Sequence, residues 1–465
     1  MAVINWQATF IVLTYLLLNV FIGIWISYRR THTVSDFTVA SRRMGGITLF
    51  FTLLATIVGA ASVVGYTGWY YIRGISQLWF TIGITISYIV YIYYLGPRIH
   101  QFGANKGGET VGDWMEYRYG PLCRYIASIL LIVAYLAITA FQYMAMATVF
   151  NQVTGLSYNL SLFVSSLVII VIASWGGLWA VGITDVIQGF LTIVGIIIMA
   201  PIFVHRAGGI GRVFSSVPPE HLQFFGHVNL STAISFSLVF LLGIISWPDI
   251  WQRCYAARDV KTLKKSMTSY AVANLILCGG LMLLIGFSAR ILYPNYEYPE
   301  SILPFMVMDQ MPGIVGSLFM AVLLAVILGT GNSTLLVCPI MFVKDIYSKF
   351  KPDITDEHML RINKSMTVVF GLLVLVLAYT APSMFDIWVW SADITGATLA
   401  VPILLGMAWQ RPSNSAALVS IAMGFIGWAL AQAGLVGLSP ILLGGLMSLV
   451  GYLVIALIHP RESRV

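Results

Sequence analysis

The sequence predicts an all-α protein that crosses a membrane many times. Of its 465 residues, 59% are hydrophobic and only 9% are charged, and the mean hydropathy is +0.88. A soluble domain of this length would carry far more charge. Uncharged runs long enough to cross a bilayer recur along the whole chain. We therefore interpret residues 1–465 as one polytopic membrane domain.

Thirteen apolar runs are predicted as membrane spans and are numbered here in chain order. The first is not followed by a small-residue cleavage site, so it is interpreted as a retained helix. An odd number of spans places the two ends of the chain on opposite sides. The spans fall near residues 8–28, 46–70, 75–99, 123–151, 158–175, 180–203, 232–256, 267–292, 313–347, 364–380, 385–408, 415–434 and 438–458.

The basic residues predict which side of the membrane each loop occupies. Of the 25 Lys and Arg residues, only Arg73, Arg206, Arg212 and Arg290 fall on one side of this arrangement. The basic excess belongs in the cytoplasm, so the N-terminus is predicted outside and the C-terminus inside the plasma (inner) membrane. The net charge of +7 is then explained by the basic residues of the cytoplasmic loops. It does not indicate a nucleic-acid partner, and no obligate protein partner is evident.

The second span contains an unusual density of small residues. Residues 53–68 read LLATIVGAASVVGYTG, with Gly59-Ala60-Ala61-Ser62 at the centre. Such residues weaken a helix and let backbone groups leave the helical ladder. Within a bilayer, freed backbone groups are tolerated where they line a protein cavity. The alternative is a face of small residues that packs closely against another helix.

The seventh span carries a second interruption. It reads Gly243-Ile244-Ile245-Ser246-Trp247-Pro248-Asp249, and proline removes a helical hydrogen bond and clashes with the preceding turn. An ordinary kinked helix is one interpretation. However, two interrupted spans at matching places in two halves of a chain are typical of inverted-repeat transporters with a site near the bilayer midplane. We expect the breaks, Gly59–Ser62 and Ser246–Pro248, to face one central cavity.

Several ordered motifs between residues 35 and 411 resemble the sodium/solute symporter family, which includes bacterial carriers of proline, sialic acid and galactose. The most specific motif is the glycine pair, threonine, aspartate and glutamine of residues 175–188. The segments that carry the resemblance are Ser35–Gly45, Thr110–Gly120, Trp175–Gln188, Pro248–Asp259, Asp345–Tyr347, and Pro402 with Gly406, Trp409 and Arg411.

The resemblance implies the LeuT-like fold, a five-plus-five inverted repeat, here with about 13 transmembrane helices. The core repeats would span about 46–203 and 232–408. The helices near 8–28, 415–434 and 438–458 would lie outside this core. The implied function is the sodium-driven uptake of a small organic solute by alternating access. The chain would not be an enzyme.

The resemblance also implies a sodium site between the second and ninth spans. By position, its carbonyl ligands are Ala55, Val58 and Val326. The paired hydroxyl positions of the family fall on Gly329 and Thr330, so one hydroxyl is missing in this chain. The alternative is a packing face of small residues with internally bonded hydroxyls.

A second set of candidate ion ligands consists of Asp185, Asn332 and Ser333. The family counterpart of Asp185 lies near the sodium exit path, and some relatives build a second sodium site at positions equivalent to the other two. A carboxylate within a membrane span indicates a function by default. The alternative for Asp185 is an N-terminal cap of the sixth span.

Substrate contacts are predicted at both breaks and at isolated polar residues nearby. Asp393 is predicted to bind a cationic group of the substrate, to relay protons, or only to pair with a neighbour. Asp249 is predicted to contact the substrate or to cap a half-helix. For the two glutamines, hydrogen bonding between helices is the alternative. The candidates are Ala60, Ala61, Ser62, Gln77, Gln142, Ser246, Trp247, Asp249 and Asp393.

Other functions of the same architecture stay open at this point. A proton-coupled or uncoupled transporter would have the same hydropathy, and so would a channel or a receptor. The break at Ala60-Ala61-Ser62 lacks the bulky polar side chains expected for sugar recognition. We therefore expect a small carboxylate- or amino-acid-like solute, with Na⁺ as the coupling ion and H⁺ as the alternative.

Overall fold

A computed structural model describes residues 6–31, 33–311, 313–351, 353–381, 384–409 and 413–458. Arg411 of the last motif, and Arg461 and Arg464 of the predicted cytoplasmic end, lie outside these residues. Within them the chain forms helices and no strand. A single isolated bridge joins Met44 to Ala257, and it ties the start of the second predicted span to the end of the seventh.

The helices follow the apolar runs closely, and we number them in chain order. Shorter 3₁₀ and π-helical segments connect several of them. The α-helices are α1 Trp6–Arg30, α2 Val34–Val39, α3 Gly46–Ile57, α4 Tyr66–Arg73, α5 Leu78–Val90, α6 Gly96–Lys106, α7 Val111–Tyr119, α8 Pro121–Thr154, α9 Tyr158–Arg206, α10 Ile210–Ser216, α11 Leu230–Gly243, α12 Pro248–Ala256, α13 Val260–Asn274, α14 Met282–Leu292, α15 Ile302–Gln310, α16 Ile314–Met341, α17 Ser348–Phe350, α18 Asp356–Thr380, α19 Met384–Ala408, α20 Asn414–Gln432 and α21 Pro440–Ile458.

The second predicted span is interrupted, as its small residues predict. Helix α3 ends at Ile57, and Val58 takes non-helical angles of φ −81° and ψ 71°. The chain then resumes as a π-helical turn over Ala61–Gly65, which continues into α4. The break therefore begins one residue earlier than the predicted Gly59–Ser62.

The seventh predicted span is interrupted where the proline predicts it. A 3₁₀ turn over Ile244–Ser246 follows α11, and Trp247 takes an extended conformation with ψ 115°. Pro248 then occupies the first turn of α12, where its missing N–H costs no hydrogen bond. The two half-helices meet at an angle of 49°.

The number of spans stays a prediction. In the described residues, ten helices are long and apolar enough to cross a membrane, or eleven when the bent pair is counted as one span. The count is lower than the thirteen predicted partly because the predicted spans 158–175 and 180–203 are counted together as α9, which is 49 residues long. That helix is kinked at Gly177, whose φ of 59° and ψ of 178° are not helical. The second predicted span is also divided by its break, and its first half, Gly46–Ile57, is too short to count as a spanning helix.

Helix α16 forms the centre of the bundle. It packs against α3, α8 and α9, and 78% of its most apolar stretch is buried. Helices α1, α20 and α21 are only 28–39% buried by the same measure, and α20 and α21 pack together and against α19. The polar residues of α16 therefore lie deep within the protein, while the two ends of the chain form its periphery.

Candidate functional site

Both interrupted helices border one small cavity. Gly59, Ala61 and Ser62 line it from the second span, and Trp247 and Asp249 line it from the seventh. The volume available to the centre of a water molecule in this cavity is only about 20 Å³. The cavity therefore holds little more than one water molecule. In this conformation the cavity is closed tightly, so a solute would require the surrounding helices to separate.

The remaining cavity walls come from four other helices. Ile84 of α5, Ile138 and Gln142 of α8, Thr330 and Thr334 of α16, and Trp388 of α19 complete it together with Thr56, Ile57, Phe240 and Ile244. The walls are thus mainly apolar, with a few polar groups at defined places. This composition is typical of sites that bind small molecules.

Gly59 allows the closest approach between the two central helices. A Cβ atom at this position would lie 2.1 Å from the Thr330 side-chain oxygen, which is far inside van der Waals contact. Thr330 in turn donates a hydrogen bond from its hydroxyl to the Ala55 carbonyl at 2.9 Å. The absence of a side chain at Gly59 therefore lets α16 reach the last turn of α3.

Two side chains form hydrogen bonds with backbone groups at the break in the second predicted span. The Ala60 N–H donates to the Gln142 side-chain oxygen at 3.3 Å. The Ser62 hydroxyl donates to the Ile57 carbonyl at 3.1 Å. Each pairs a backbone group of the break with a partner outside the regular helical ladder, as burial requires.

The predicted substrate residues separate into two groups. Ala61, Ser62, Gln142, Trp247 and Asp249 line the cavity. Asp249 is 2% exposed, and its Oδ1 accepts from the Ile250 N–H at 2.7 Å in the first turn of α12. The Trp247 indole N–H is buried and has no hydrogen-bond partner, so it is a donor available to a bound group.

The other predicted contacts do not border this cavity. The Ser246 hydroxyl donates to the Gly243 carbonyl at 3.1 Å within its own turn. Gln77 is buried with both side-chain polar atoms unpaired, and Asp393 is 7% exposed with an unpaired Oδ1. Neither of these two lines the space between the breaks. Their part in substrate binding stays a prediction without geometric support.

Of the positions predicted for the sodium site, Ala55 of α3 contacts Gly329 and Thr330 of α16, whereas the Val58 and Val326 carbonyls stay predicted ligands. We call Ala55, Val58, Val326, Gly329 and Thr330 the ion crossing. The Ala55 carbonyl and the Thr330 hydroxyl are in direct contact. A Cβ atom at Gly329 would lie 3.0 Å from the Ala55 carbonyl oxygen. Carbonyl and hydroxyl oxygens are the hard ligands that alkali and alkaline-earth cations prefer.

A second polar group lies beside the ion crossing, and we call Arg253, Asp185, Thr52, Thr56 and Ser333 the arginine cluster. Arg253 Nη2 donates to Thr56 Oγ1 and Ser333 Oγ, both at 2.7 Å, and to Thr52 Oγ1 at 3.1 Å. It lies 3.6 Å from Asp185 Oδ2, which accepts from Thr52 Oγ1 at 2.5 Å. The Arg253 and Asp185 side chains are both fully buried.

The arginine cluster changes two expectations. Arg253 was counted only among the cytoplasmic basic residues, whereas its side chain is fully buried on α12 and bonds within the protein interior. Asp185 does not cap a helix, since it lies in the middle of α9. An ion held by Asp185 and Ser333 would compete with the guanidinium for the same oxygen atoms. Asn332 is fully buried with both side-chain polar atoms unpaired.

Two residues of this region were present in the sequence motifs but received no role. Arg253 ends the motif that begins at Pro248, and Gln188 ends the motif that begins at Trp175. A basic residue within a predicted span is itself a signal of function, so Arg253 could have been found. Thr52, Thr56 and Trp388 carry no such signal, because each of them is a common residue in an apolar run.

A metal site built from charged or sulfur ligands is not formed by the described residues, which contain no suitable group of three His, Cys, Asp or Glu side chains. The oxygen atoms of the ion crossing fit a weakly bound monovalent cation better, because they are uncharged and close together. If Na⁺ binds here, Ala55 and Thr330 would hold it through a carbonyl and a hydroxyl, and its charge would stabilise the contact between α3 and α16.

A model of the "Sodium:solute symporter family" matches residues 37–424. The chain belongs to the sodium:solute symporter family. It is therefore a sodium-coupled solute transporter of the membrane and not an enzyme. The segments that resembled this family from the sequence lie almost entirely within the matched residues.

Among individual relatives of this symporter, the sodium/pantothenate symporter of Escherichia coli (strain K12) is 27% identical over 445 residues, with 90% of each chain covered. The osmoregulated proline transporter OpuE of Bacillus subtilis (strain 168) is 24% identical over 461 residues, covering 95% of this chain and 92% of the relative. Each relative spans nearly the whole symporter.

Solved structures confirm the fold class of the symporter. A Na⁺-coupled sialic acid symporter in a substrate-bound, outward-open state has a TM-score of 0.87 at 19% identity, covering 99% of this chain and 100% of that one. The transporter Mhp1, of the nucleobase-cation-symport-1 family, has a TM-score of 0.61 at 14% identity, with 92% and 96% covered. The predicted LeuT-like architecture is therefore correct.

Proposed function

We propose that this symporter uses an inward sodium gradient to take up a small amino-acid-like solute, which binds between the two broken helices. The observation that carries this proposal is the single cavity bordered by Ser62 on one break and by Trp247 and Asp249 on the other. Alternating access requires a site that both faces of the membrane can reach in turn, and a site at two half-helix junctions meets this requirement.

The polar groups of the cavity favour a solute that carries both charges. The Asp249 carboxylate is buried in the cavity wall and would repel a simple carboxylate, whereas it would attract an ammonium group. The unpaired Trp247 N–H can donate to the carboxylate of the same solute. Proline, named for one relative, carries both groups; pantothenate, named for another, carries only the carboxylate.

The apolar lining of the cavity favours a compact solute. Ile138, Phe240 and Trp388 close around it as an apolar wall, and a compact aliphatic body would bury its surface there. Ala61 lies in the same wall and is 4% exposed. The coupling ion would bind at the ion crossing, where its presence would hold α3 against α16 and so shape the cavity beside it.

Uptake into sealed vesicles tests this proposal. We expect labelled L-proline, as the first probe of an amino-acid panel, to accumulate against its gradient when sodium is higher outside. A channel would stop at equal concentrations. Uptake that ignores sodium but collapses with a protonophore would overturn sodium coupling and favour the proton alternative. Accumulation of pantothenate without any amino acid would overturn the solute class.

A variant that fills the cavity tests where the solute binds. Ala61→Trp places a large side chain between the two breaks, so we expect uptake to fall to background while purified protein still unfolds cooperatively. Ile129→Trp is the control, because Ile129 is 53% exposed on the lipid-facing side of α8 and should transport like the parent. Normal uptake by Ala61→Trp would contradict the placement of the site.

A further inference from the structure

Gln188 of α9 points an unpaired oxygen atom at the ion crossing. Its side chain is fully buried, and its Oε1 has no hydrogen-bond partner. A Cβ atom at Gly329 would lie 3.1 Å from this oxygen and 3.0 Å from the Ala55 carbonyl oxygen. Both oxygen atoms therefore surround the point where a side chain of residue 329 would begin. An acceptor left without a donor in the protein interior is costly unless a ligand satisfies it.

The orientation of this amide follows from its neighbours. The Asn19 Nδ2 donates to the Tyr15 carbonyl at 3.3 Å, and a carbonyl can only accept. Asn19 must therefore turn its Oδ1 the other way, where it accepts from Gln188 Nε2 at 2.9 Å. Because Asn19 presents an oxygen atom, Gln188 must present its NH₂ group there. The Oε1 of Gln188 is thereby directed at Gly329 and Ala55.

We propose that the Gln188 side-chain oxygen is a sodium ligand of this symporter, replacing the hydroxyl group that Gly329 cannot supply. The inference rests on the proposed sodium site at the ion crossing and adds one ligand to it. The resulting set would combine the Ala55 carbonyl, the Thr330 hydroxyl and the Gln188 amide oxygen. All three are uncharged oxygen atoms from three different helices.

Glycine at position 329 is part of the same arrangement. Any side chain there would start 3.0 Å from the Ala55 Cβ atom and 3.1 Å from Gln188 Oε1, which is tighter than an ordinary contact. A serine would supply a hydroxyl but would push the amide away. The chain therefore exchanges one oxygen donor for another across the helix interface between α16 and α9, with the number of oxygen ligands unchanged.

Sodium binding to purified protein tests the inference without relying on transport. The measurement is the sodium-dependent rise in melting temperature, together with ²²Na⁺ binding, in the absence of any solute. We expect Gln188→Leu to weaken sodium binding by about 10-fold or more, which corresponds to about 1.4 kcal/mol.

A matched control and a double variant complete the design. Asn363→Leu removes another fully buried amide with an unpaired oxygen, on α18, and should leave sodium affinity unchanged. Gly329→Ser should weaken binding by crowding the amide, whereas Gly329→Ser combined with Gln188→Ala should recover affinity because the new hydroxyl takes over. Recovery in the double variant would establish the exchange of ligands.

The outcomes separate this inference from the proposed sodium site. If the parent protein binds sodium and Thr330→Ala weakens it, but Gln188→Leu does not, the inference is overturned and the proposed site stands. If the parent shows no sodium binding, or if Thr330→Ala binds normally, the proposed site itself is wrong and Gln188 has no ion to hold.

Discussion

The ion crossing and the arginine cluster lie side by side between the same helices, yet they satisfy their polar groups in opposite ways. Ser333 of the arginine cluster lies one turn from Thr330 of the ion crossing on α16. In the arginine cluster, three hydroxyls are bonded to the Arg253 guanidinium, with Asp185 nearby. In the ion crossing, every ligand is uncharged, and the Gln188 oxygen beside it has no partner.

The difference supports the proposal that a cation binds at the ion crossing and not in the arginine cluster. A buried positive charge already occupies the arginine cluster, so a second cation among the same hydroxyls would be repelled at short distance. The oxygen atoms of the ion crossing are not the ones bonded to the guanidinium, so a cation there would be repelled less strongly. Proximity and residue type are similar in the two regions, and the position of one guanidinium group separates their roles.

The largest effect is expected when the buried pair is broken. Asp185→Asn removes the carboxylate that forms an ion pair with the buried Arg253 guanidinium, which we expect to lower the free energy of unfolding by about 3–5 kcal/mol. Arg253→Met combined with Asp185→Leu removes both charges and should recover much of this loss. Chemical denaturation measures both variants. If Asp185→Asn folds normally but no longer binds sodium, the arginine cluster is an ion site and the contrast fails.

An intermediate effect is expected at the closest contact of the ion crossing. Gly59→Ala places a methyl group 2.1 Å from the Thr330 oxygen, so α16 must move away from α3. Overpacking of this kind costs about 1–3 kcal/mol, and sodium affinity and uptake should be lost together. Gly280→Ala is the control, since a Cβ atom there meets nothing within 4 Å. A fully active Gly59→Ala protein would show that the tight contact is dispensable.

The smallest effects are expected from a matched pair of threonine variants, which compare the ion crossing with the arginine cluster most directly. Thr56→Val removes one acceptor of the Arg253 guanidinium, while Thr330→Val removes a hydroxyl from the ion crossing. Each loss is expected to cost about 1 kcal/mol. For Thr56→Val it should appear in the free energy of unfolding, and for Thr330→Val in sodium affinity, as measured by denaturation and by sodium-dependent melting. Equal loss of sodium affinity in both variants would merge the two regions into one site.

How closely each feature of the fold was predicted depends on whether its sequence signal acts on the local backbone. The interruption near Gly59 and the one at Pro248 were predicted within a residue or two, because glycine and proline act on their own backbone. The predicted end of the fifth span at residue 175 and start of the sixth at residue 180 flank Gly177, where α9 is sharply kinked. A glycine with positive φ can bend a helix without a loop, and hydropathy does not distinguish these cases.

The candidate site was predicted less completely. Ser62, Trp247 and Asp249 belong to the breaks themselves, so their approach to the cavity followed from the local chemistry. Gln77 and Asp393 were chosen only for being polar within apolar spans. Which face of a helix such a residue occupies depends on the neighbours that pack against it, and the cavity lies on another face.

By itself, the sequence determined that this chain crosses the membrane many times, that two of its helices break, and that it is a relative of sodium-coupled symporters. These properties depend on hydropathy, on local backbone chemistry and on ordered motifs. Only the tertiary structure decided that Arg253 is buried and that Gln188 directs an oxygen atom at Gly329. Arg253 bonds to Thr52 across 201 residues and to Ser333 across 80. The partners of a long buried polar side chain lie on helices that are remote in sequence. Its role therefore becomes clear only once the packing of those helices is known.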